Sequence, residues 1–298
     1  MSFVRRILSF SLIQLIIEVA AIAVLIGLLQ LVFRMLPHVL LSNVISNVVL
    51  ALGLLALLFL ATRYLEHRSL SEVGLVKRGF LLQLLFSFVL GGCSIGAVVG
   101  VLALLGFYRI TSIAPLSILP AILIPLLVIF FAAAMQEEII FRAIIFRLLE
   151  RPLGSWIAVV LSAIFFGASH LANPHATLIS AVAIMLSAGI TIAAIYMLTR
   201  SLWWIIGFHW GWNFFEGPIF GAQISGFSTG TLFRASLKGP ELWTGGTFGP
   251  EAGLVTIILI GCLGVILLVV AARRGCMITP RFLSSPAKEK QKALESAG

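Results

Sequence analysis

The chain is 298 residues long, 60% hydrophobic and 10% charged, against ~25% charged residues in a soluble domain. This composition excludes an ordinary soluble enzyme and requires that most of the chain lie in lipid. The net charge of +9 comes from basic residues in short connections and the tail, a signal of membrane orientation and not of nucleic-acid binding.

Residues 1–33 open with Arg5 and Arg6 and continue as an apolar run too long for a signal-peptide core, so they read as a retained first span. Eight apolar stretches approach the ~20 residues that cross a bilayer: 10–33, 40–62, 80–107, 119–147, 154–172, 178–199, 201–220 and 252–272. The expected fold class is an all-α polytopic membrane protein, a bundle of about eight transmembrane helices with a polar intramembrane cavity. The connection 63–79 carries Arg63, Glu66, Arg68, Glu72, Lys77 and Arg78, and reads as an interfacial helix or short loop. With the N-terminus inside, 15 Lys and Arg fall in inner segments, 4 in outer ones, and Arg142 within a span. That bias puts both termini in the cytoplasm. Residues 221–250 form the longest outer loop, either a flexible connector or a segment folded over the mouth of the bundle. The tail 275–298 is polar and basic and suits anionic headgroups. Cys93, Cys262 and Cys276 suggest neither a disulfide framework nor a zinc cluster.

Three polar clusters interrupt the apolar runs. The first is Gln136-Glu137-Glu138-Ile139-Ile140-Phe141-Arg142. A charge at mid-bilayer costs at least ~2.5–3.5 kcal/mol, so this group demands partners, water or a function. Glu138 and Arg142 are i and i+4 on a helix and can pair. Glu137 is turned about 100° away and lacks an obvious cation. The second cluster is Phe166-Gly-Ala-Ser-His170 and the third His209-Trp-Gly-Trp-Asn213. Glu137 and His170 lie symmetrically about the inner turn at Arg151-Pro152-Leu153-Gly154, which puts both about 24 Å of helix from the turn tip. His209 and Asn213 follow Arg200, the next inner turn, at an overlapping depth. All three clusters are therefore expected to face the bundle interior.

A carboxylate beside an imidazole can activate water as a general base. A second imidazole and an amide can donate to an oxyanion. Together they suffice for amide hydrolysis without a covalent intermediate. Ser169, beside His170, is a nucleophile only in principle. Two His and one or two Glu are also sensible zinc ligands, but H-E-x-x-H is absent and Asn213 is a poor ligand, so metal-free chemistry ranks first. Glu18, His38 and His175 are assigned to packing, cavity or loop roles, and the Trp residues of 203–212 to interface anchoring and packing.

The ordered set E-E-x-x-x-R, F-x-x-x-H and H-x-x-x-N, spanning Glu137 to Asn213, resembles the CPBP family of intramembrane proteases, also called ABI or CAAX-protease-like. Thr244-Gly-Gly-Thr-Phe-Gly-Pro-Glu-Ala-Gly253 is similar to a loop of many bacterial members. The resemblance implies an eight-helix membrane fold and a glutamate-dependent endopeptidase. By it, Glu137 activates water with His170, His209 and Asn213 stabilise the oxyanion, and Glu138, Arg142 and Phe166 support the site. No cofactor is implied, with zinc left open. The implied partners are membrane lipids and a membrane-bound or lipidated peptide substrate, of CAAX or bacteriocin-related type. The short loops and the bacterial-looking final loop favour a bacterial plasma membrane. The expected organisation is spans one to three (1–117), a CPBP-like catalytic core (118–220), the Gly-rich outer loop (221–251), and the last span with its tail (252–298). Two other readings stay open: a non-catalytic immunity or scaffold protein, and a zinc-dependent version of the same hydrolysis. A proton-relay transporter ranks last, since no inverted repeat is visible.

Overall fold

A computed structural model describes residues 10–35 and 39–280. The expectations for Arg5, Arg6, His38 and the tail from Arg281 onward lie outside the described residues. Among the described residues seven helices are long and apolar enough to cross a membrane: α1 (Ser11–Phe33), α2 (Leu40–Leu65), α3 (Phe80–Leu104), α4 (Leu119–Leu153), α5 (Ser155–Ala172), α6 (Leu178–Thr199) and α8 (Leu254–Arg273). The protein is thus an all-α polytopic membrane protein. The stretch expected as another span, 201–220, is α7 (Leu202–Phe214), extended by a π-helical turn, Phe215–Ile219. It falls short in hydropathy because it carries His209, Asn213 and Glu216. Those residues need no lipid compatibility, since α7 is enclosed by other helices and ten of its thirteen residues are buried. By contrast α1 exposes Ile16, Val24 and Leu28, as a lipid-facing outer helix does.

Between helices in lipid, close packing and polar contacts replace the hydrophobic drive. α7 meets α3 through Gly207 and Gly211, one turn apart. A Cβ at Gly211 would lie 1.9 Å from the Phe88 carbonyl oxygen, and one at Gly207 would lie 2.3 Å from that of Leu84. Backbone therefore lies against backbone. Hydrogen bonds tie the rest: the Trp210 indole donates to the Leu127 carbonyl at 2.9 Å, and the Thr191 hydroxyl to that of Ile260 at 2.8 Å.

α4 is 35 residues long, about 52 Å, well over the ~30 Å hydrocarbon core. At its end Arg147 and Arg151 meet Glu66 beyond α2, with Arg147 Nη2 at 2.6 Å and Arg151 Nη2 at 2.7 Å. The single residue Gly154, at φ 79°, turns the chain into α5. Alongside, Glu150 accepts from Arg200 Nη2 at 2.9 Å and from the Ser155 hydroxyl at 2.6 Å. Ser155 Oγ in turn accepts the Ile278 amide at 2.8 Å. The connections 63–79, 147–154 and 199–201 thus gather with the segment after α8 at one end of the bundle.

Burial works against the charge on Glu66, but the hydrogen bonds and charges of Arg147 and Arg151 outweigh it and hold the carboxyl below its ordinary value. A group depressed on folding contributes stability that is present above its unfolded pKa and is lost as pH falls through the folded one. In detergent, the melting temperature of the wild type is expected to drop more steeply than that of Glu66→Gln as pH is lowered from about 5. Parallel pH curves for the two proteins would show that the cluster contributes nothing.

At the opposite end β1 (Tyr108–Ile113) and β2 (Phe233–Leu237) pair antiparallel, from Tyr108↔Leu237 to Ile113↔Phe233, with an irregularity between Ile110 and Ser112. No strand was anticipated from the apolar pattern. The outer loop is folded: the Tyr108 hydroxyl donates to the Phe220 carbonyl at 2.6 Å, and the Gly226 amide to that of Phe248 at 2.7 Å. The lid alternative for 221–250 therefore holds, and the flexible connector does not.

Candidate active site

α4 presents Glu137 and Glu138 at the end of its α-helical part, just before it loosens into the π-helical segment Ile139–Phe146. Such segments recur at functional sites, because the extra residue re-aims side chains. Three further π-helical turns border the same region, Met185–Gly189, Phe215–Ile219 and Ile257–Gly261.

Glu138 and Arg142 pair as their spacing predicts, Nη1 to Oε2 at 3.2 Å with neither side chain exposed. Arg142 also donates from Nη2 to the Gly189 carbonyl at 3.3 Å and lies 4.3 Å from the Phe166 ring centroid. Glu138 has a second partner that spacing could not reveal. Its Oε1 accepts from His209 Nδ1 at 2.7 Å. Arg142, Glu138 and His209 therefore form one buried chain across α4 and α7. With Nδ1–H committed to Glu138, His209 turns Nε2 toward Glu137, whose Oε2 lies 3.8 Å away. That Oε2 has no hydrogen-bond partner among the described residues, although the Glu137 side chain as a whole is 31% exposed.

His170 ends α5. Its Nδ1 donates to the Phe166 carbonyl at 2.8 Å, since a carbonyl can only accept. Nε2 is thereby left as the free acceptor. Phe166 is 1% exposed and stacks edge-on against Phe141 at 5.1 Å and His170 at 4.9 Å. It therefore holds the imidazole and covers Arg142 at once. The Ser169 hydroxyl donates to the same Phe166 carbonyl at 2.7 Å, which occupies it.

Glu137, His170, His209 and Asn213 all line one small cavity, with Phe166 and Trp212 among its walls. Glu138 and Arg142 lie behind this wall. Glu18 is distant, buried between α1 and α2 without a partner for its carboxyl among the described residues. Two acids outside the motifs also belong to this region. Glu251, at the foot of α8, lines the cavity beside Ser225. Glu216 is fully buried and takes the Trp212 indole N–H at 3.0 Å. The one available signal was an acid at the edge of an apolar run in each case.

Among the described residues, seven membrane-length helices and α7 thus surround a cavity lined by a carboxylate, two imidazoles and an amide. Residues 119–215 match the family described as Type II CAAX prenyl endopeptidase Rce1-like, and this segment contains all three motifs. The match agrees with the resemblance to CPBP-type intramembrane endopeptidases carried by those motifs, and supports a CAAX-type peptidase as the general class. No curated protein and no solved structure matches the chain.

Proposed function

We propose that the cavity hydrolyses a peptide bond of a membrane-associated peptide with water activated by Glu137. The observation that carries this is the unpartnered carboxylate oxygen of Glu137 facing a cavity that also receives two imidazoles. Water between Glu137 and His170 Nε2 would give its proton to the carboxylate as its oxygen attacks the scissile carbonyl carbon. His209, once protonated on Nε2, is countered by Glu138 and Glu137. It and the Asn213 amide, one helical turn on, supply donors for the oxyanion. Arg142 and Phe166 hold Glu138 and His170 in these orientations. The basic end of the bundle is proposed to face the cytoplasm of a bacterial plasma membrane, and the substrate to carry a C-a-a-X tail or to be a peptide precursor.

The test is cleavage of farnesylated and unmodified C-a-a-X peptides by purified protein, read by mass spectrometry. Release of the terminal tripeptide by the wild type and not by Glu137→Ala is expected. Equal cleavage by both would rule the mechanism out.

A further inference from the structure

The departing amine must also gain a proton, and the motif residues are a carboxylate, a free imidazole acceptor and oxyanion donors. A second carboxyl stands in the same cavity. Glu251 is carried by a short turn, Pro250–Ala252, that enters α8, and is 9% exposed. Its Oε1 accepts both the Ser225 amide at 2.5 Å and the Ser225 hydroxyl at 2.6 Å. Ser225 itself holds φ 48°, a left-handed backbone that a serine rarely adopts. The lid thus spends strain to aim one residue at this carboxyl. Two hydrogen bonds to one oxygen fix the group and leave the other oxygen uncommitted.

Behind it lies Glu216, fully buried, with Oε1 unpartnered among the described residues. The two carboxyls act on each other electrostatically. No cation forms an ion pair within 4.0 Å of either among the described residues. Like charges near one another disfavour ionising both, so the pair tends to hold a proton more tightly than a lone carboxyl. Burial in addition raises the Glu251 carboxyl, against the lowering effect of Ser225 and the imidazoles. A carboxyl that holds its proton more tightly than usual is suited to act as an acid.

Resting on the hydrolase reading above, we infer that Glu251 is the acid that delivers a proton to the departing amine nitrogen, with Ser225 and Glu216 as its positioning residues. The C–N bond breaks with its electron pair remaining on nitrogen. The Glu251 O–H supplies the proton and becomes a carboxylate. Glu137, which took its proton from water, returns that proton through solvent to restore Glu251 before the next turnover. Atoms and charge balance over the cycle.

The experiment compares a peptide amide with the matched ester of an acidic phenol, whose leaving group needs no proton. Glu251→Gln keeps an oxygen for Ser225 and removes the acid. It is expected to lower kcat on the amide by about 10²-fold or more, the scale of general acid catalysis, and to leave ester turnover within about 5-fold. Equal losses on both substrates would assign Glu251 a structural role and overturn the inference, as would no loss on either. Glu216→Gln leaves Glu251 in place but removes the shared proton. The groups facing Glu251 are then His209 from α7, His170 from α5 and Glu137 from α4. The alkaline limb of kcat on the amide is expected to move to lower pH; an unmoved limb counts against the pair. A wild type that cleaves neither substrate defeats the hydrolase reading itself. An active wild type with inactive Glu137→Ala leaves that reading standing and puts the amide-to-ester ratio alone on trial.

Discussion

Two neighbouring glutamates are expected to fail in opposite ways. Glu137→Gln should melt like the wild type and lose about 10²–10⁴-fold in turnover. Its carboxylate is partly exposed, its nearest charged neighbour is 3.8 Å away, and no hydrogen bond holds its Oε2. An amide of the same shape fits there but cannot take a proton. Glu138→Ala should instead lower stability by about 3–5 kcal/mol, the cost of leaving a buried charge without its counter-ion. Arg142, with no exposure, would keep the Gly189 carbonyl and the Phe166 ring but no carboxylate partner at salt-bridge distance. Glu138→Met combined with Arg142→Met removes both charges and should recover most of that stability. Turnover should not return, because His209 has then lost the acceptor for Nδ1. Thermal unfolding in detergent beside peptide cleavage separates these outcomes. A Glu138→Ala protein as stable as the wild type would mean that the ion pair is not carrying the charge of Arg142.

The second large effect lies on the backbone. Gly211→Ala puts a methyl group 1.9 Å from the Phe88 carbonyl oxygen and 2.7 Å from its carbon. Both are main-chain atoms of α3, so no rotamer change relieves the clash and the two helices must part. Overpacking costs about 1–3 kcal/mol, occasionally more. Parting also carries His209 and Asn213, which flank Gly211, away from α4, and a ~1 Å misplacement can cost ~10²-fold in rate. Gly96→Ala is the control, since its Cβ would meet only the Phe220 ring edge at 3.6 Å. Similar melting temperatures for the two variants would show that α3 and α7 are not held at backbone contact.

The apolar runs and three motif clusters were legible because lipid makes polarity expensive. Glu137, Arg142, His170 and Asn213 stood out against their surroundings for that reason alone. Spacing also gave the Glu138–Arg142 pair, which is local to one helix. The Glu138–His209 bond was not legible, because it joins residues 71 positions apart. Nor were the π-helical segments, which arise from packing demands and leave no pattern in the residue order. The polar residues of α7 were counted inside a span that is too hydrophilic to qualify as one; enclosure by other helices, not contact with lipid, makes that helix acceptable. Glu216 and Glu251 were passed over because each sits at the margin of an apolar stretch, where an acid is unremarkable. Only the folded lid, through Ser225, shows where Glu251 points.

That lid has two faces. One carries Ser225 into the chamber; the other exposes Leu242, Phe227 and the sheet residue Arg234. A nanobody or cyclic peptide gripping the exposed face would be touching the same short segment whose inward side bonds Glu251. Cavity wall and exposed surface are thus two sides of one short stretch of chain.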